Sequence, residues 1–211
     1  MKNIKLVCFD LDYTLIYEVH SVLYPCIVNG KQVEAYEIEK LEGQGVYDWI
    51  EADHYRALLL KGLHVDALDE NFDNIIKPIK NIAQTIQQLH KKGIICGLIT
   101  AGPIQVAKLA AKKWGFDFYH GSLYEIEDDL FTGKITEHIG DKGKVEYLKK
   151  YCENYRYKPE DCFAIGDGGS DIPMFNYCGG SLAINYGDSI IGKAQYYLKT
   201  DDLTDILVYL I

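Results

Sequence analysis

The chain has 211 residues, 48% of them apolar, and a formal net charge of -9. That length suits one domain, or one domain with an insertion, and the apolar fraction supports a core without disulfide or metal staples. The acidic balance and the lack of any Lys/Arg cluster argue against nucleic acid as a partner. The apolar runs are too short to span a membrane, and no apolar segment behind a basic start marks a secretory leader.

Six cysteines (Cys8, Cys26, Cys96, Cys152, Cys162, Cys178) are scattered, mostly inside apolar runs, with no CxxC pair. They read as reduced core thiols of a cytoplasmic protein. Ile4 to Phe9 reads as a central parallel strand, apolar on both faces, ending at two aspartates, Asp10 and Asp12. A helix is expected from Pro78, with Ile79, Ile82, Ala83, Ile86 and Leu89 at helical spacing. A second buried strand runs from Ile94 to Ile99. "TAGPIQVAKLAAKKWG" then turns into a helix with Pro103 near its first position and Gly115 past its end. A third strand is expected around Phe116 to His120, and a helix capped by Asp141 running through Val145, Leu148 and Tyr151. Phe163 to Ile165 is the fourth strand, closed by "GDGGSD". Pro173 begins another helix, and Ser181 to Ile184 and Ala194 to Leu198 read as late strands.

This strand–helix rhythm predicts βαβ units: an α/β fold with a Rossmann-like parallel sheet between two helical layers. Ligands of such sheets bind beyond the carboxyl ends of the strands. Asp10, Thr100 and Asp167 each stand at such an end. One block breaks the rhythm. Residues 17–76 separate the first strand from the second and are expected to form a mainly helical lid, leaving 1–16 and 77–211 as the core. This block holds twelve acids against four bases, a net charge of -8.

Two carboxylates at one strand end repel each other unless a cation sits between them. Mg²⁺ takes oxygen ligands, typically one or two carboxylates plus substrate phosphate. Asp10, the backbone carbonyl of Asp12, and Asp167 make a sensible magnesium site, with Asp171 supporting it directly or through water. As an alternative, Asp171 serves only as a helix cap ahead of Pro173.

"DLDYT" at 10–14, Thr100 after "ICGLI", a lysine in "DKGKVEYL" and "GDGGSD" at 166–171 together resemble the four motifs of the haloacid dehalogenase superfamily. They occur in that family's order and span nearly the whole chain. Within it the chain most resembles phosphatases of the phosphoserine type, which carry a helical cap between the first two motifs. The resemblance implies Asp10 as nucleophile, forming an aspartyl phosphate, and Asp12 as general acid and base. It implies that Thr100 hydrogen-bonds the phosphoryl group, and that the amides of Ala101 and Gly102 receive an anion at a helix start. A lysine followed by glycine favours Lys142 as the charge on the phosphoryl oxygens, with Lys144 the alternative. Arg56, in "YRALLLKGL", matches an arginine that binds the substrate carboxylate; an ion pair with Asp53 or Glu51 is the structural alternative. Glu18 lies near a lid glutamate that meets the substrate amine. Ser170 joins the substrate-binding residues, where the family often has asparagine; Tyr13 replaces a favoured serine and "TAG" replaces "SGG". No histidine shows ligand spacing.

The expected activity is Mg²⁺-dependent hydrolysis of a small phosphorylated metabolite, best matched by phosphoserine, in a monomer or homodimer. A phosphatase or phosphotransferase for phosphocholine, phosphoethanolamine, a nucleotide or a methionine-salvage intermediate uses the same residues. A non-catalytic binding module would be marked by loss of Asp10 or Asp12, and both are present.

Overall fold

The computed structural model describes residues 4–211, apart from the side chains of residues 141 and 142. The chain opens with β1 (Leu6–Phe9), whose four side chains are all fully buried. Each such aliphatic or aromatic side chain contributes about 1.5–3 kcal/mol on burial. A two-residue strand, β2 (Ile16–Tyr17), leads to four helices: α1 (Leu23–Val28), α2 (Gln32–Gly43), α3 (Trp49–Leu58) and α4 (Asp66–Ile75). The chain returns through β3 (Lys77–Pro78), which pairs antiparallel with β2. Pro78 thus sits in the strand that closes the lid's base, and the expected helix starts later, as α5 (Ile82–His90). This fits proline's place at sheet edges.

Next come β4 (Ile95–Pro103), α6 (Ile104–Trp114), β5 (Phe118–Glu127), β6 (Leu130–Glu137) and α7 (Gly140–Tyr155). β7 (Cys162–Gly166), α8 (Ile172–Tyr177), β8 (Gly180–Ile184), β9 (Tyr196–Leu198) and α9 (Leu207–Leu210) complete the chain. Seven strands form one sheet in the order β6-β5-β4-β1-β7-β8-β9. All neighbours are parallel except β5 and β6. β1 lies at the centre, with Phe9 level with Leu98 of β4 and Ile165 of β7. That register brings Asp10 to the same edge as Thr100 and Asp167.

Alternate residues of β1 feed two cores. Val7 and Phe9 pack with Ile82, Ile86, Val106 and Ala110 of α5 and α6. Leu6 and Cys8 pack with Val145, Leu148, Met174 and Phe175 of α7 and α8. The result is the three-layer Rossmann-like arrangement. The six cysteines are all free, and no described helix is long and apolar enough to cross a membrane.

The β5–β6 hairpin was absent from the sequence expectation, which ended the third strand at His120. Its turn is Asp128-Asp129, both with positive φ (50° and 63°). That is the geometry of a tight hairpin turn, usually signalled by Asn-Gly or Asp-Gly. The doubled aspartate hid it. The hairpin also touches the lid: Gly62 N donates to Phe131 O at 2.8 Å, Phe131 N to Leu63 O at 2.9 Å, and Val65 N to Asp129 O at 2.9 Å.

Candidate active site

The carboxyl edge of the sheet forms the floor of a cleft of about 790 Å³, and the lid forms its wall. Asp10, Asp12, Ala101, Gly102, Lys144, Asp167 and Ser170 line it from the core. Glu39, Glu42, Trp49, Ile50, Asp53 and Arg56 line it from the lid.

Asp10 is buried and held from both sides. Lys144 Nζ donates to its Oδ1 at 2.6 Å, and Thr14 Oγ1 to its Oδ2 at 3.3 Å. Lys144 is itself 2% exposed and reaches down from the first turns of α7 to Asp171 Oδ1 (2.9 Å) and Ser170 Oγ (2.8 Å). The side chain of Lys142, and the Asp141 cap, lie outside the described residues; the ammonium at Asp10 is that of Lys144. Its placement follows from α7 starting at Gly140, which turns Lys144 toward the sheet beside buried Val145 and Leu148.

Asp171 is fully buried. Its Oδ2 accepts the amides of Asp167 and Gly168, both at 3.1 Å. It therefore closes the "GDGGSD" turn, and makes no side-chain cap on α8. A Cβ on Gly166 would fall 2.3 Å from the Asp171 carboxyl, so glycine is required where the strand passes this side chain.

Asp12 points to a different set of donors. Ser21 N meets its Oδ1 at 2.5 Å, Ser21 Oγ its Oδ2 at 2.6 Å, and Thr100 Oγ1 the same Oδ2 at 3.1 Å. Thr100 is fully buried, and its hydroxyl also accepts the Gly102 amide at 3.0 Å. The Ala101–Gly102 expectation needs correction: β4 continues to Pro103 and α6 starts only at Ile104. These two residues are an extended strand end, because Pro103 disfavours helix at the residue before it. Ser122 Oγ ties this end down by donating to Ala101 O at 2.6 Å, and it accepts the amide of Ile139 just ahead of α7.

The electrostatics follow from crowding. Carboxylate oxygens of Asp10, Asp167 and Asp171 converge within 4.8 Å of one another. Burial raises Asp10 well above the usual carboxylate range, against the opposing Lys144 charge. Burial, then the neighbouring Asp171 charge, raises Asp167 to about 7. Lys144 is desolvated, yet Asp10 and Asp171 outweigh this and push its pKa up, so it stays charged. One ammonium among three converging acids leaves excess negative charge, and an all-oxygen donor set of this kind fits a hard divalent cation. The Asp12 side chain is engaged elsewhere, by Ser21 and Thr100, and is not part of this cluster.

On the wall, Arg56 is 2% exposed. It pairs with Glu42 (2.5 Å) and Asp53 (3.0 Å), while its Nε has no hydrogen-bond partner. The expected alternative of an ion pair with Asp53 is therefore present. Asp53 also accepts from His138 Nε2 at 3.0 Å, whose Nδ1 accepts the Gly140 amide. His138 thus joins the start of α7 to the lid, a role that spacing alone did not reveal. Glu18 does not reach the cleft. It sits in a left-handed turn (φ 63°) after β2, and Glu39 and Glu42 of α2 supply the wall's carboxylates instead. Their i,i+3 spacing was the available signal. Tyr13, 45% exposed, stands at the mouth with Trp49 and Ile50.

Known proteins resemble this chain in sequence and fold. The family model for haloacid dehalogenase-like hydrolases matches residues 7–176. Phosphoserine phosphatase of Saccharomyces cerevisiae is 32% identical over 98% of this chain and 67% of its own length. That of Methanocaldococcus jannaschii is 28% identical over 99% of both chains. The phosphoserine phosphatase SerB2 of Mycobacterium tuberculosis is 28% identical, and this chain spans half of it. Among solved structures, a phospho-aspartyl intermediate analogue of phosphoserine phosphatase superposes with a TM-score of 0.83 at 26% identity, covering all of both chains. With the motif residues gathered at one sheet edge and the family model covering most of the sequence, the chain belongs to the haloacid dehalogenase-like hydrolases.

Proposed function

We propose that the protein is a cytoplasmic, Mg²⁺-dependent phosphomonoesterase that hydrolyses phosphoserine through an aspartyl phosphate on Asp10. The observation that carries this reading is Asp10 on the cleft floor, fixed by Lys144 at 2.6 Å, with a second carboxylate two residues on. The relatives named above support the substrate.

Asp10 attacks phosphorus, and the ester P–O bond breaks as Asp12 gives its proton to the leaving oxygen. Asp12 then takes a proton from water as that water's oxygen attacks phosphorus and the bond to Asp10 breaks. Lys144 neutralises Asp10 and the phosphoryl oxygens as charge moves between them. Asp10, Asp167 and the Asp12 carbonyl would hold Mg²⁺, supported by Asp171; the ion supplies charge neutralisation at the phosphoryl group. Ser170 and the strand end at Ala101–Gly102 border the phosphoryl position. On the wall, Arg56 carries the one guanidinium fit for the substrate carboxylate, and Glu42 and Glu39 carry negative charge fit for its ammonium. That combination suits a zwitterionic phosphoester better than a sugar phosphate.

The test is phosphate release with Mg²⁺ from phosphoserine, phosphothreonine, phosphoethanolamine, phosphocholine, sugar phosphates and nucleotides, with EDTA and Asp10→Asn controls. Preference for phosphoserine, lost in both controls, is expected. Preference for a carboxylate-free ester would keep the mechanism and overturn the substrate. Turnover by Asp10→Asn would remove the nucleophile assignment.

A further inference from the structure

We infer that Ser21 is a positioning residue for Asp12, through which the seated lid sets the acid–base carboxylate for its proton transfers. This rests on the aspartyl-phosphate reading above and adds a residue to it. Ser21 is not in the core. It lies in the segment between β2 and α1, where the chain leaves the sheet for the lid. Even so it is fully buried, and it gives two of the three hydrogen bonds that Asp12 receives: its amide to Oδ1 and its hydroxyl to Oδ2. A carboxylate gripped at both oxygens by one residue has its plane fixed, as in a bidentate pair.

The surrounding chain is shaped to deliver Ser21 there. Val19 N donates to Tyr17 O at 2.6 Å and Glu18 has positive φ, so the chain doubles back immediately after β2. His20 then starts the lid, its carbonyl accepting Tyr24 N and its Nδ1 accepting Leu23 N. From the core side, Gly102 makes room: a Cβ there would fall 1.8 Å from Ser21 Oγ. The strand end, the turn and the lid's first turn therefore meet at one hydroxyl. If the lid's first turn leaves, Asp12 keeps only the Thr100 hydroxyl.

The consequence depends on the leaving group. An alkyl phosphoester needs its leaving oxygen protonated, whereas 4-nitrophenolate departs unaided. Hydrolysis of the aspartyl phosphate needs Asp12 as base in both cases. Ser21→Ala, retaining the backbone donor but not the hydroxyl, is compared with the wild type on phosphoserine and on 4-nitrophenyl phosphate by rapid-quench and stopped-flow kinetics. For phosphoserine, kcat is expected to fall about tenfold or more, the scale of one hydrogen bond to a charged group, with little change in KM. For the aryl ester, first-turnover release of nitrophenolate stays within about twofold, and later turnovers slow, giving a burst larger than the wild type's. The burst amplitude counts competent chains, so misfolding is separated from slow chemistry.

Equal first-turnover losses on both esters, or no loss on either, would overturn the role of Ser21. A burst that persists in Asp10→Asn would overturn the aspartyl-phosphate reading instead, so the two failures are distinct.

Discussion

The floor and the wall of the cleft are built on different principles. On the floor, Asp10, Thr100 and Asp167 come from three parallel strands, and register alone sets them side by side. On the wall, Glu39 and Glu42 come from α2, Asp53 and Arg56 from α3, and His138 from beyond the hairpin. Their meeting depends on helix packing and on one partly buried chain of contacts, the Arg56 ion pairs with Glu42 and Asp53 and the Asp53–His138 hydrogen bond. The proposed function draws its reacting carboxylates and ammonium from the floor and its substrate-discriminating groups from the wall. Substitutions that separate reaction type from substrate choice test that division.

The largest effect is expected for Lys144→Met. Removing it loses a preorganised charge at the reacting group, on the order of 10²–10³ in kcat. It also leaves Asp10 and Asp171 buried without their partner, a loss of roughly 3–5 kcal/mol in stability. Lys142→Met is the matched comparison, and steady-state kinetics with thermal melts of both variants decides which lysine serves. Equal losses in the two would mean that Lys144 is not the single ammonium serving Asp10.

Arg56→Lys comes next and tests the wall. The fork to Glu42 and Asp53 is lost, and lysine does not replace it. KM for phosphoserine is expected to rise about tenfold or more. KM for phosphoethanolamine, which has no carboxylate, should move far less, and kcat should hold for both. A matching fall in kcat for both esters would place Arg56 with the floor.

The last effect is read in stability rather than in kinetics. Asp167 titrates near 7 in the fold, above its unfolded value of about 3.9. Between those values the folded protein holds a proton that the unfolded chain has released, so stability falls as pH rises through this window. Above 7 the penalty is complete. In EDTA, Asp167→Asn should melt higher than the wild type at pH 8, with the gap closing toward pH 5. Mg²⁺ should raise the melting temperature of the wild type and not of the variant. A gap independent of pH would mean that the acidic cluster is not what strains the floor.

Most of the floor is legible in the sequence because Asp10, Thr100 and Asp167 each follow an apolar run that ends at a glycine, proline or acidic turn. "KLVCFDLD" and "FAIGDGGSD" carry strand and site together. Lys144 was harder. Two lysines stood two apart on one helix, and only the point where α7 starts decides which one faces the sheet. The wall was mostly illegible. Arg56 stood out as the lid's lone arginine, yet its partner Glu42 lies fourteen residues earlier on another helix. The place of Glu18 is not legible because the turn after β2 is set by backbone geometry, and Ser21 carries no signal in the sequence. The same limit hid the hairpin, whose turn residues are acids rather than glycine.

The hairpin changes what a moving lid would have to do. Besides its base at β2 and β3, the lid is stitched to β6 and the hairpin turn by three backbone hydrogen bonds, at Gly62, Val65 and Phe131. A cover anchored along two edges does not swing like a door. Any outward movement would require it either to bow between its anchors or to carry the hairpin with it as one flap. Because Ser122 of β5 itself pins Ala101 and the residue just ahead of α7, any such flap would tug on the ground beneath Lys144 as it rose.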